Sequence, residues 1–237
     1  MSNNHMNVQD ELQGIVQSAI DVITKPRDFF SRLSSTGGFL SPLIFMVVMG
    51  VVAGLILSVL SLVNLTPVGA VAAGLASFII MPIVIAVFGF VGAAVLFVIW
   101  KLTGSQKSYE TAYRGMAYTS AILPITTVLD LIPYLGGIIG LLWMTYLLVI
   151  ISSTMHAINE KKAWTVFGII CAVLILLSVS AETASRKMAR DMQTWEMEMR
   201  QKTSNLDALE EMSPEEAGQA LGDFFKGMQE TAGDHEK

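Results

Sequence analysis

Two ionisable residues, Asp130 and His156, lie in or beside long apolar stretches, and a set of hydroxyls gathers around Pro124. A carboxylate among apolar residues can hold an ion or pass a proton, since little else in a membrane interior does either. Asp130 sits in "LPITTVLDLIPYLGG" (123–137), one turn after Thr126 and Thr127, with Tyr118 and Ser120 on the other side of Pro124. Such a row of polar side chains can line a permeation path, or it can join helices to one another, which is its commoner use. Pro124 removes one helical hydrogen bond, and the Ser120 hydroxyl or its neighbours are expected to occupy the freed carbonyl, giving a kink.

Other chemistry lacks its residues. The sequence has no HExxH, no pair of aspartates for an aspartyl protease, no Cys/His cluster at metal spacing and no phosphate-cradling glycine loop. His5 and His235 are far from His156 in sequence. The single cysteine, Cys171, excludes an intrachain disulfide. The expectation is a protein that is not an enzyme, with no cofactor and no bound metal.

The elements that carry these residues are read from composition. The 237 residues are 53% hydrophobic and 15% charged, against about 25% charged in an ordinary soluble domain, and the mean hydropathy is +0.57. Residues 1–181 hold 8 Lys+Arg against 7 Asp+Glu, whereas residues 182–237 hold 7 against 13, a net of −6. That balance argues against nucleic acid as a partner, which requires a basic face.

A crossing helix needs roughly 20 apolar residues. Five stretches qualify: 42–63, 75–100 (with an interfacial lead-in from 67 and a bend at Pro82), 115–132, 136–158 and 163–181. Lys and Arg number 3, 0, 3, 0 and 2 in the segments before these five spans, which is the positive-inside pattern with a cytoplasmic N-terminus. Five spans send the C-terminus to the opposite side, although Arg186, Lys187 and Arg190 follow the last one. On this map Asp130 falls at the outer turn between spans three and four. A surface turn is the preferred reading over an ion site, because an isolated deep charge is costly and no cation lies in a neighbouring span. Gly50/Gly54 and Gly136/Gly140 match GxxxG, the spacing that lets helices approach closely.

Amphipathic segments flank the spans. Within residues 1–41, Val8, Leu12, Ile15, Val16, Ala19, Ile20 and Ile23 recur at helical spacing up to Lys25-Pro26, and "PRDFFSRL" then restarts with Phe29, Phe30 and Leu33 on one side. These pieces either lie on lipid or pack on the protein's own cytoplasmic ends. In the acidic tail, 182–237, Met188, Met192, Trp195 and Met199 form one helical stripe. Ser213-Pro214 with Glu216 opens a further helix carrying Phe224 and Phe225, suited to a protein contact.

"KPRDFFSRL", five spans, "SYETAYRGMAYTSAILPI", "IPYLGGIIGLLW" and "HAINEKKAW", in that order, resemble the YIP family (Ypt/Rab-interacting proteins) in its prokaryotic branch, over about residues 24–181. The resemblance implies an all-α integral membrane protein of five transmembrane helices with amphipathic ends, in a bacterial cytoplasmic membrane. It implies an organising or trafficking role exercised through a protein partner, a second copy or the lipid bilayer. The eukaryotic members' Gly-Tyr pair is Ala117-Tyr118 here, and their acidic Asp-Leu-Tyr-Gly-Pro segment is missing, so a Rab-type GTPase is not an expected partner. The competing expectation is a small transporter or channel using the polar, Pro-kinked third span.

Overall fold

The computed structural model describes residues 8–63, 68–210, 218, 219 and 222, and the described residues form helices and turns without a strand. They fall into two units, Met1–Ser180 and Ala181–Lys237.

In the first unit, α1 (Val8–Thr24) stops where Pro26 forbids helical geometry at Lys25, whose φ/ψ is −137°/53°. Pro26 then opens α2 (Pro26–Arg32), with Asp28 in its first turn and Arg32 in its last, as the helix dipole favours. Both helices pack on the protein itself: Val22 and Phe30 are fully buried in the main core, with Ile15, Ala19 and Phe29 packed against it.

α3 (Leu40–Val63) pairs along its length with α4 (Val68–Leu102), which keeps Pro82 in its interior. The expected lead-in and second span are therefore one 35-residue helix. Gly50 sits at the α3–α4 crossing, and a Cβ there would lie 2.9 Å from the Pro82 Cα, so glycine is what lets the two backbones meet. Gly54 is buried on the same helix.

The expected third span is interrupted. α5 (Tyr109–Thr119) gives way to a 3₁₀ turn (Ser120–Ile122) and a short α6 (Leu123–Leu129). The cause is Pro124. Its missing N–H would have met the Ser120 carbonyl, and that carbonyl instead accepts the Leu123 N–H in 3₁₀ geometry. The Ser120 hydroxyl does not take this place, contrary to expectation; it donates to the Ala117 carbonyl at 2.7 Å.

A turn through Asp130 leads to α7 (Leu135–Thr154). A Cβ at Gly136 would overlap the Leu129 carbonyl, and one at Gly140 would rest 3.4 Å from Thr126 Cγ2, so this face of α7 closes on α6. The fourth span thus ends at Thr154 and leaves His156 beyond it.

α8 runs from Glu160 to Glu210, and its residues in the first unit add Ala163 and Phe167 to the core. Among the described residues, four helices are long and apolar enough to cross a membrane: Leu40–Leu60, Ile79–Leu102, Leu135–Thr154 and the apolar part of Glu160–Gln201. The interrupted segment between the second and third of these does not count as one such helix.

In the second unit, Met188, Met192, Trp195 and Met199 are exposed. Phe224 and Phe225 lie outside the described residues.

Candidate functional site

α5 is the most polar of the bundle helices and also one of the most buried. Ser108 caps it by accepting the Thr111 N–H. Three of its side chains reach back to the segment before α3. Glu110 accepts the backbone N–H groups of Gly37 and Gly38 at 2.8 and 2.6 Å. Arg114, buried, donates from Nε to the Ser34 carbonyl at 2.8 Å and from Nη1 to the Gly38 carbonyl at 2.9 Å. Thr111 donates to the Ser35 carbonyl at 3.2 Å. The loop so held needs glycine, since Gly38 has φ +83°.

Further along α5, Tyr118 stands between two phenylalanines. Its ring centroid is 5.1 Å from Phe29 and 4.7 Å from Phe45, both in tilted or edge-on contact. The side chain is 8% exposed, and its hydroxyl has no hydrogen-bond partner among the described residues. It lines a groove of about 450 Å³ between α1 and the start of α3.

The other residues expected to form a polar face do not converge on this groove. Thr126 and Thr127 donate to the Leu123 carbonyl at 3.1 and 2.8 Å. These hydroxyls, like that of Ser120, are satisfied by their own helix, so nothing in the arrangement favours a permeation path. Asp130 is exposed at the C-terminal cap of α6, at the hairpin tip rather than beside Tyr118. Phe29 and Phe30, expected at an interface, pack inward, Phe30 in the core.

Past the end of α7 lies a buried polar cluster. His156 stacks on Trp100 with centroids 4.0 Å apart, and its Nδ1 is 2.8 Å from the Ser105 hydroxyl. Trp100 Nε1 donates to the Ser152 hydroxyl at 2.8 Å. His156 Nε2 is sealed without a partner among the described residues. Burial, with Lys107 and Lys101 nearby, pushes the imidazole pKa down to about 4 and keeps it neutral. A serine beside a histidine suggests a nucleophile and base. Here Ser105 is 3% exposed, and among the described residues no acid orients the far nitrogen. No group of three or more His, Cys, Asp or Glu able to hold a metal occurs among the described residues.

Sequence reasoning missed the clamp on residues 34–38, having counted Arg114 only as a topological charge. Glu110 and Arg114 at i and i+4, set against a Gly37-Gly38 pair, were the available signal. The Tyr118 groove had no sequence signal, because it is made by three elements distant along the chain.

A family model described as the Yip1 domain matches residues 20–181 of the chain. No curated protein and no solved structure is matched.

Proposed function

From the premise that this chain belongs to the Yip1 domain family, we propose that it is a non-enzymatic membrane scaffold of organising or trafficking type, acting through protein or lipid contacts. The observation that carries the reading is the two-sided apolar character of α1. Ile15, Ala19, Val22 and Ile23 are packed inward, while Leu12, Val16 and Ile20 remain exposed as a second stripe. That stripe belongs to a helix outside the spans, whereas the hydroxyls of Ser120, Thr126 and Thr127 are bonded to neighbouring carbonyls of their own segment.

Five crossings are part of the proposal. Ser105 bonds His156, Lys162 donates to the Thr103 carbonyl at 2.6 Å, and Arg27 pairs with Glu160 at 2.9 Å. The chain therefore returns between residues 105 and 156 to the end of the bundle it left. α7 provides one crossing in that interval, and the α5–3₁₀–α6 segment supplies the other. Lys25, Arg27, Lys101, Lys107, Lys161 and Lys162 lie beside or within these end contacts, which supports a cytoplasmic N-terminus. Residues 182–237 then lie on the far side. The missing acidic segment supports a prokaryotic member in a bacterial cytoplasmic membrane, without a Rab-type GTPase partner.

The test is purification of the full-length protein in mild detergent, with and without Leu12→Gln/Val16→Gln, alongside vesicle imaging. A reproducible partner, second copy or change of vesicle shape that the double variant loses is the expected result. Failure to recover any of the three would overturn the reading.

A further inference from the structure

We infer that the groove beside Tyr118 is a binding site for one bilayer phospholipid, held by its glycerol-ester region. The inference rests on the membrane reading above and goes beyond it. The walls are Ile15 and Ser18 of α1, Ser41, Ile44 and Phe45 of α3, and Tyr118 of α5. Its volume, about 450 Å³, suits part of an amphiphile rather than an ion.

Depth and polarity run together along this groove. Ser41 is in the first turn of the span Leu40–Leu60, and Ile44 and Phe45 follow one turn further into the bilayer. The Ser41 hydroxyl thus sits at the level of headgroup and glycerol, and Ile44 and Phe45, with the Tyr118 ring 4.7 Å from Phe45, at the level of the first acyl carbons. Ile44 is 46% exposed, and exposed Leu55 and Val59 follow on the same helix, so the groove opens onto the lipid-facing side of the first span.

The hydrogen-bond inventory selects the ligand. Ser18 already donates to the Gly14 carbonyl at 2.8 Å, but Tyr118 and the exposed Ser41 have hydroxyl protons with no acceptor among the described residues. The Tyr118 residue is 8% exposed, and its hydroxyl, not sealed in the core, remains accessible at the groove that the residue lines. Two donors without an acceptor call for a ligand rich in acceptors, and ester carbonyls are acceptors only. Among the described residues no charged side chain lines the groove, which favours recognition through the ester region over the headgroup charge.

Gly14 gives a way to fill the site without disturbing the core, since a Cβ on it would meet nothing within 4 Å. Full-length protein is reconstituted in phosphatidylcholine vesicles containing a phosphatidylcholine with a diazirine on one acyl chain, irradiated and mapped by mass spectrometry. Labelling concentrated near Ser18 and Ile44, and abolished there by Gly14→Phe but not by Gly14→Ala, is expected. Labelling near the exposed Val87 of α4 serves as the reference for general lipid contact. Tyr118→Phe keeps the ring and is expected to lower groove labelling about threefold to tenfold, the loss of one hydrogen bond. Groove labelling no higher than that near Val87, or unmoved by Gly14→Phe, would overturn the site. So would a crosslink from a photoreactive residue at Ser18 to a second copy in place of lipid. Carbonate extraction of the same vesicles checks membrane insertion separately, so failure of the site and failure of the membrane reading are distinguishable.

Discussion

Gly50 of α3 faces Pro82 of α4 so closely that a Cβ on the glycine would come within 2.9 Å of the Pro82 Cα and 3.1 Å of Ile85 Cδ1. The obstacle is backbone and cannot swing aside. Gly50→Leu is therefore expected to lower the stability of the detergent-solubilised protein by about 1–3 kcal/mol, the usual cost of overpacking. Gly14→Leu, in open space, is the control. Equal melting temperatures for the two variants would show that α3 and α4 do not meet at this glycine.

Arg114→Leu leaves the Ser34 and Gly38 carbonyls without their donors. Each loss of this kind costs about 1–3 kcal/mol, and the loop they hold should open. Trypsin cleavage after Arg32, next to that loop, is expected to accelerate. Glu110→Ala should do the same, whereas Glu110→Gln keeps an oxygen that accepts from Gly37 and Gly38 and should remain close to the parent. Identical digestion of Glu110→Ala and Glu110→Gln would remove the clamp from the account.

His156 has a folded pKa near 4, below the unfolded value of about 6.5, because burial penalises the imidazolium. The unfolded chain binds the proton first as pH falls. The stability due to neutral His156 is complete above pH ~6.5 and declines as pH drops toward about 4. Melting curves between pH 7.5 and 4.5 should show a steeper fall for the parent than for His156→Gln. Parallel curves would mean that the ring is already accessible to protons.

A reporter fused after Ser204 is expected to read from the side opposite the N-terminus. A cytoplasmic signal would mean that the α5–3₁₀–α6 segment does not cross, or that α8 does not. Labelling of single cysteines introduced at Lys107 and Tyr134 in a Cys171→Ser background separates these two cases.

Much of the helical layout was legible, for identifiable reasons. Apolar runs of span length gave α3 and α7 to within a few residues, and the Lys25-Pro26 pair marked the break between α1 and α2. The third segment was harder to read. Its polar residues split into two groups that a hydropathy average cannot separate: Glu110, Thr111 and Arg114 bond to a distant loop, while Ser120, Thr126 and Thr127 bond to their own helix. The change from α to 3₁₀ geometry followed from Pro124, but which group filled the vacant carbonyl depended on a competition between a backbone N–H and a hydroxyl. The continuity of α8 had a signal that went unread, since no glycine or proline occurs between Gly168 and Pro214. Of the candidate site, Tyr118 was picked out for its position near Pro124. Its partners, Phe29 and Phe45, come from other helices and could not be paired with it in advance.

The clamp from Glu110 and Arg114 to residues 34–38 also sets an order of events during synthesis. Glu110 follows Gly37 by 73 residues. At common rates of chain elongation the loop waits roughly 4 to 15 s for its acceptor, time enough for α3 and α4 to enter the bilayer as a pair. If only one of them inserted, loop and clamp would emerge in different compartments and could never meet. On the proposed topology Arg114 is thus used twice: first as a charge that helps to orient the nascent chain, then as a lock that closes on a correctly inserted one.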